Sequence, residues 1–221
     1  RGFSINADDV VLDLGCGHGG STLFCARRGA HVIFTDSESE KIEALREKVR
    51  ETPARRAEGI VSNSLPLPLA DNLASKVIAL EVLEHVEQPL AILQELVRVG
   101  RPGAQYFISV PDRASEELQR AVAPALHFES PNHINVFSRE AFAELVENAG
   151  LIIESRDFYG FYWTLWMMLF WGTKQAEGHV FSGATHDQLE GPFNPLLNSW
   201  ATLWHATINL PGGEKIRAAL D

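Results

Sequence analysis

"VLDLGCGHGG", residues 11–20, decides how the rest of the chain is read. Gly15, Gly17 and Gly20 stand in the G-x-G-x-x-G spacing of loops that turn sharply after a strand and let a ligand approach the backbone. Several ligand classes share that spacing, so the neighbouring residues must choose among them. Asp13 lies two residues before Gly15, where pyrophosphate-binding loops carry an apolar residue. Like charges about 4 Å apart repel by about 4 kcal/mol at an effective dielectric of about 20. A carboxylate here opposes a pyrophosphate and favours a ligand bearing positive charge. Asp36, about 20 residues further on, ends the next apolar run and is placed to accept from ribose hydroxyls, which suits either ligand class.

Outward from the loop, "DDVVLDLG" (8–15) reads as a strand, and "GSTLFCARRGA" (20–30) as a helix with Leu23, Phe24 and Ala26 facing a sheet. "HVIFTD" (31–36) is a second buried strand. "SEKIEALREKVRE" (39–51) is an amphipathic helix, with Ser39 as its cap and Ile42, Leu45 and Val49 inward. A short strand "GIVSN" (59–63), a proline-punctuated loop "SLPLPLADN" (64–72) and a long apolar strand "KVIALE" (76–81) follow. Then come a helix opened by Pro89, a strand "AQYFISVP" (104–111), a helix from the Ser138 cap to Gly150, and "LIIESRDF" (151–158) as the last strand. This alternation predicts an α/β fold, a doubly wound, mostly parallel sheet with helices on both faces and its ligand at the carboxyl ends of the strands. The predicted core spans residues 1–158. Residues 159–221 form a C-terminal aromatic-rich extension of helices and loops, including a helix in "GGEKIRAALD" (212–221).

The bulk properties exclude several classes. A net charge of -10 and a pI near 5.3, without a basic block, leave no nucleic-acid footprint. Two cysteines, Cys16 and Cys25, make no disulfide framework and fit a reducing, cytoplasmic compartment. No secretory signal heads the chain, which starts at Arg1. The aromatic stretch "FYGFYWTLWMMLFWG" (158–172) falls short of the roughly 20 apolar residues that span a bilayer. It predicts a core or subunit interface, with a lid over an apolar acceptor or a peripheral lipid contact as the alternatives.

Five motifs in order now resemble those of class I S-adenosylmethionine-dependent methyltransferases, in particular the group containing ubiquinone-biosynthesis O-methyltransferases. "VLDLGCGHG" is similar to their first motif, "VIFTD" to the second, "SNSLPLPLADN" to the adenine-pocket segment, "ALEVLEHVEQP" to the fourth and "GRPGAQYFISVP" to the fifth. "NHINVFSREAFAELVENAGL" also resembles the group's late helix and the loop leading into it. The resemblance covers residues 8–158 and implies a Rossmann-like fold with S-adenosylmethionine as cofactor and S-adenosylhomocysteine as product. It further implies that Asp13, Gly15, Cys16 and Gly17 hold the methionine end, Asp36 and Ser37 the ribose, Asn63 and Ser64 the adenine, and Glu81 and Val82 the sulfonium side. Asn63 departs from the group's aspartate; its amide oxygen still accepts from an adenine amino group. The group's sheet also ends in an antiparallel strand, and no such strand is readable after residue 158.

The expected reaction moves the methyl group to a small-molecule acceptor, most simply a hydroxyl oxygen. His85 is the candidate base, because imidazole titrates near neutral pH, and His133 in "SPNHINVFS" is the second candidate of the acceptor site, with His127 the weaker one. Glu81, Glu84 and His85 form E-x-x-E-H, which the resemblance connects with a divalent ion in some members. We read Glu84 and His85 instead as loop anchors and expect no metal there. A catalytically silent S-adenosylmethionine-binding regulator and an NAD-dependent oxidoreductase are the competing functions, and a homodimer stays open.

Overall fold

The computed structural model describes residues 2–183, Thr185 and residues 195–221. The chain divides into two compact units, residues 1–110 with 140–153, and residues 111–139 with 154–221. The segment 111–139, read above as part of the first domain, therefore packs with the C-terminal residues.

The first unit is built on a five-stranded parallel sheet of order β3-β2-β1-β4-β5. The strands are β1 (Val10–Leu14), β2 (His31–Asp36), β3 (Arg56–Val61), β4 (Ala74–Leu80) and β5 (Gly100–Ser109). Val11, Leu12 and Leu14 on β1 and Val32, Ile33 and Phe34 on β2 are all buried, as expected of central strands covered on both sides. Helices α1 (Gly20–Ala26), α2 (Ser39–Arg50), α3 (Pro89–Val99) and α5 (Arg139–Asn148) belong to the same α/β layering. The chain runs outward from β1 to β3, then returns to place β4 on the other side of β1. The right-handed crossovers that parallel strands favour call for α1–α2 and α3 on opposite faces of a sheet with this order.

Ile42, Leu45 and Val49 line the buried face of α2, in the predicted spacing. Three local readings are corrected. Ser39 is the first helical residue and Glu38 occupies the cap position, its carboxylate accepting from Lys41 Nζ at 2.6 Å rather than from a helix amide. On α1 the buried residues are Thr22, Cys25 and Ala26, whereas Phe24 is exposed beneath the Arg28 guanidinium, 3.4 Å from its ring centre. Gly19 also packs the loop tightly, since a Cβ on it would lie 2.1 Å from Leu45 Cδ1. Residues 151–158 form no strand. Leu151 and Ile153 alternate with an exposed Ile152, but period-2 patterning makes a strand only where a neighbouring backbone supplies the ladder.

The second unit contains α4 (Arg113–Gln119), α6 (Phe161–Ala176), α7 (Pro195–Ile208) and α8 (Gly213–Leu220). Trp166, Phe170 and Trp171 from α6 and Leu197 from α7 make its core, with Tyr162 and Trp200 packed against them. Much of the aromatic stretch therefore forms the interior of this unit. Asp221 Oδ1 accepts from the amides of Gly160 and Phe161 at 3.1 Å each, closing the start of α6. No helix of the described residues is long and apolar enough to cross a membrane. Of the loop-and-helix region read beyond residue 178, residues 184 and 186–194 lie outside the described residues.

Candidate active site

The strand order reverses between β1 and β4, and this switch point is where an open parallel sheet leaves a crevice at its carboxyl edge. Gly15, just past β1, has φ +67°, and a Cβ there would lie 2.6 Å from Val82 Cγ2 beyond β4. Glycine thus lets the two loops bordering the crevice touch. Gly17, with φ +49° and open space where a Cβ would go, donates its amide to Asp36 Oδ2 at 2.9 Å. Cys16 donates its amide to the Thr35 carbonyl at 2.9 Å. These two bonds tie the glycine loop to the end of β2.

Asp13 is buried at the carboxyl end of β1. The Thr22 hydroxyl donates to its Oδ2 at 2.5 Å. Burial pushes its carboxyl up to about 6, against the Thr22 hydroxyl and amide, which favour the ionised form; the Asp36 charge adds to the rise. A carboxylate held this way gains from a nearby cation, because a positive ligand restores what burial removes. It would be strongly opposed to phosphate. Burial, with the charges of Asp13 and Asp36, also keeps the Cys16 thiol protonated, so Cys16 contributes its backbone rather than a thiolate.

Asp36 presents its carboxylate between the Gly17 and Glu38 amides, and Ser37 beside it is exposed. The loop after β3 begins with the Ser62 amide bonded to the Asp36 carbonyl at 2.9 Å. Asn63 is exposed on that loop. Ser64 takes a left-handed φ of 71°, and its amide is held by Ser62 Oγ at 3.1 Å. Asp13, Gly15, Cys16, Gly17, Asp36, Ser37, Asn63, Ser64, Glu81 and Val82 thus all lie at or just beyond the carboxyl ends of β1–β4 in one unit.

Glu81 follows β4 with a left-handed φ of 55° and accepts from Ser109 Oγ at 2.6 Å. The chain then makes a single 3-10 turn over Leu83–His85, not the α-helix that would align E-x-x-E-H on neighbouring faces. The carboxylate of Glu84 is buried and lies 3.7 Å from His85 Nε2. Glu81 stands before the turn and does not join Glu84 and His85 in a three-ligand group among the described residues. His133 belongs to the second unit, where its Nδ1 lies 3.0 Å from Glu116 Oε2.

Several supporting residues escaped the sequence. Thr22 holds Asp13 and Ser109 holds Glu81, yet an isolated hydroxyl leaves no periodic signal. Arg98 bonds the carbonyls of Leu67 and Leu69 and the carboxylate of Asp71, while Glu95 accepts from the Leu67 amide at 2.7 Å and pairs with Arg98. Together they fix the proline-rich loop onto α3. Only the i,i+3 spacing of Glu95 and Arg98 hinted at this.

Residues 2–156 match a family model described as a methyltransferase domain. The chain is 28% identical over 160 residues to the ubiquinone biosynthesis O-methyltransferase of Aeromonas salmonicida, covering 68% of this chain and 65% of that protein. It is also 31% identical over 109 residues to methyltransferase GfsG of Streptomyces halstedii, covering 48% of this chain and 39% of that one. The chain spans no more than about two thirds of the length of these relatives. Among solved structures, a SAM-dependent methyltransferase from Aquifex aeolicus shares the fold with a TM-score of 0.54 and 22% identity, covering 68% of this chain and 76% of that one. The [4+2]-cyclase SpnF shares it with a TM-score of 0.60 and 18% identity, covering 89% and 67%.

Proposed function

This chain belongs to the methyltransferase-domain family, whose cofactor is S-adenosylmethionine, and we propose that it moves a methyl group from that cofactor to a hydroxyl oxygen of a small-molecule acceptor. One observation carries the reading: Asp13, a buried carboxylate at the carboxyl end of β1, stands at the base of the glycine loop that opens the sheet's switch point. The residues present fit a cofactor that bears an ammonium and a sulfonium and no phosphate. Asp13 supplies the negative charge, Gly15 and Gly17 the close backbone approach, and Asp36 the acceptor oxygens for ribose hydroxyls. Asn63 and Ser64 supply polar groups for the adenine.

S-adenosylmethionine supplies a methyl carbon already activated by its sulfonium, so transfer depends chiefly on in-line positioning of the acceptor. Held by Asp13, Gly15 and Gly17, the cofactor would supply its methyl carbon to the acceptor oxygen, with sulfur keeping the electron pair of the broken carbon–sulfur bond. The hydroxyl proton goes to His85 Nε2. His85 follows β4 at the same carboxyl edge, and Glu84 Oε1 at 3.7 Å is placed to stabilise the imidazolium that forms. The O-methyltransferase names of relatives such as that of Aeromonas salmonicida support oxygen as the acceptor atom.

Transfer of a labelled methyl group to a panel of phenols, quinols and sugar hydroxyls tests the reading. Turnover on a hydroxyl acceptor that falls about 100-fold in His85→Ala, with cofactor affinity unchanged, is the expected result. Transfer only to nitrogen or carbon acceptors, or full activity in His85→Ala, would remove the hydroxyl or the base from the account.

A further inference from the structure

Glu116, on α4, has only 1% of its surface exposed. Among the described residues its ion-pair partners are two imidazoles, with His133 Nδ1 at 3.0 Å and His127 Nε2 at 4.0 Å from the same oxygen, Oε2. His127 is buried and His133 lies toward the surface. All three belong to the second unit. A buried carboxylate is costly unless positive charge and hydrogen bonds compensate it.

The hydrogen bonds behind His127 determine which of its nitrogens faces Glu116 as an acceptor. The side-chain amide of Asn132 donates from Nδ2 to the carbonyls of Leu126 and Gly183, at 3.0 and 3.1 Å. Its Oδ1 therefore accepts, taking the Thr185 amide at 2.7 Å and the Thr185 hydroxyl at 3.0 Å. With its proton committed to Asn132, Thr185 Oγ1 can only accept from His127 Nδ1, 3.0 Å away. Neutral His127 thus carries its proton on Nδ1 and presents the lone pair of Nε2 on the side of Glu116.

A lone pair and a carboxylate oxygen 4.0 Å apart are too far apart to share a proton in a hydrogen bond, which spans about 2.7–3.2 Å. They suit a metal ion. Two atoms each about 2.1 Å from a metal lie about 3.0 to 4.1 Å apart as the angle between them opens from about 90° to about 150°. The three ligand atoms fall within 4.8 Å of one another, so a small rotation of the outermost ligand, His133, completes the set. The Thr185–Asn132 relay behind His127 is also what a metal-bound imidazole needs to fix its tautomer and orientation.

We propose that Glu116, His127 and His133 bind a divalent transition-metal ion of the zinc class. Two imidazoles and one carboxylate favour such an ion over magnesium or calcium, which prefer all-oxygen ligands. Three protein ligands leave a fourth position for water. All three ligands come from the second unit, and the proposal does not depend on the methyl-transfer reading.

Calorimetric titration of the untagged, metal-stripped chain with Zn²⁺ tests it, paired with visible spectroscopy of the Co²⁺-loaded protein. One ion per chain with a Kd of ~1 μM or tighter is expected, together with cobalt d–d bands characteristic of a low-coordinate nitrogen–oxygen site. His133→Ala and Glu116→Gln should each weaken binding at least about 100-fold, while His205→Ala on α7 leaves it unchanged. His133 is partly exposed, so its variant keeps the test sound if Glu116→Gln fails to fold. Absence of one-to-one Zn²⁺ uptake by the parent chain, or parental affinity in His133→Ala, would overturn the site.

Discussion

Asp13 carries opposing demands of folding and binding. Its carboxyl titrates near 6 because burial disfavours the charge, whereas a cationic ligand needs that charge present. The folded chain therefore holds this proton more tightly than the unfolded chain. The resulting stability is full below the ordinary carboxylate range and is lost as pH rises through about 6. At neutral pH the ionised group costs about 3 kcal/mol. Cofactor affinity should accordingly weaken by up to about tenfold per pH unit below 6 and level off above it, as calorimetry across pH 5–8 would register. Asp13→Asn should cut affinity about 100-fold while leaving the melting temperature at pH 8 unchanged or higher. This residue was legible because its charge contradicted the phosphate spacing around it. Thr22 was not legible, since one hydroxyl on a helix carries no pattern until the fold brings it to Asp13.

At the scale of elements, α3 does more than cover the sheet. Arg98 and Glu95 hold the loop of residues 65–72 by its carbonyls and an amide, and that loop follows Asn63 and Ser64. Charge-assisted bonds of this kind contribute about 1.5–3 kcal/mol each when their loss strands a partner, although Arg98 is partly solvated. Arg98→Ala should lower stability by about 1–2 kcal/mol, weaken the cofactor several-fold and raise amide exchange in residues 65–72. Unchanged exchange there would show that the loop holds itself. Apolar runs made β1, β2 and β4 readable, because parallel strands covered on both faces are continuously hydrophobic. Residues 151–158 misled for the converse reason: alternation at Leu151 and Ile153 is a local signal, and the ladder that makes a strand is not.

At the scale of the whole molecule, the doubly wound sheet followed from the order of apolar runs and glycines, whereas the residues proposed to hold the cofactor were assigned by the resemblance of five motifs to the family. The second unit was less legible, because its membership joins residues 111–139 to 154–221 across an intervening helix of the first unit. Its core depends on Trp171, fully buried with its indole N–H donating to Gln119 Oε1 at 3.2 Å. Trp171→Ala should destabilise by about 3–5 kcal/mol in urea unfolding; a loss below about 1 kcal/mol would mean that this ring is not a core element. The central claim is that the glycine loop with Asp13 takes a positively charged methionine group and not a pyrophosphate. Calorimetry of the chain at pH 7.5 with S-adenosylmethionine, S-adenosylhomocysteine and NAD in parallel tests it most directly. The account predicts one-to-one binding of both methionine-derived ligands and none of NAD; binding of NAD without either of the other two would contradict it.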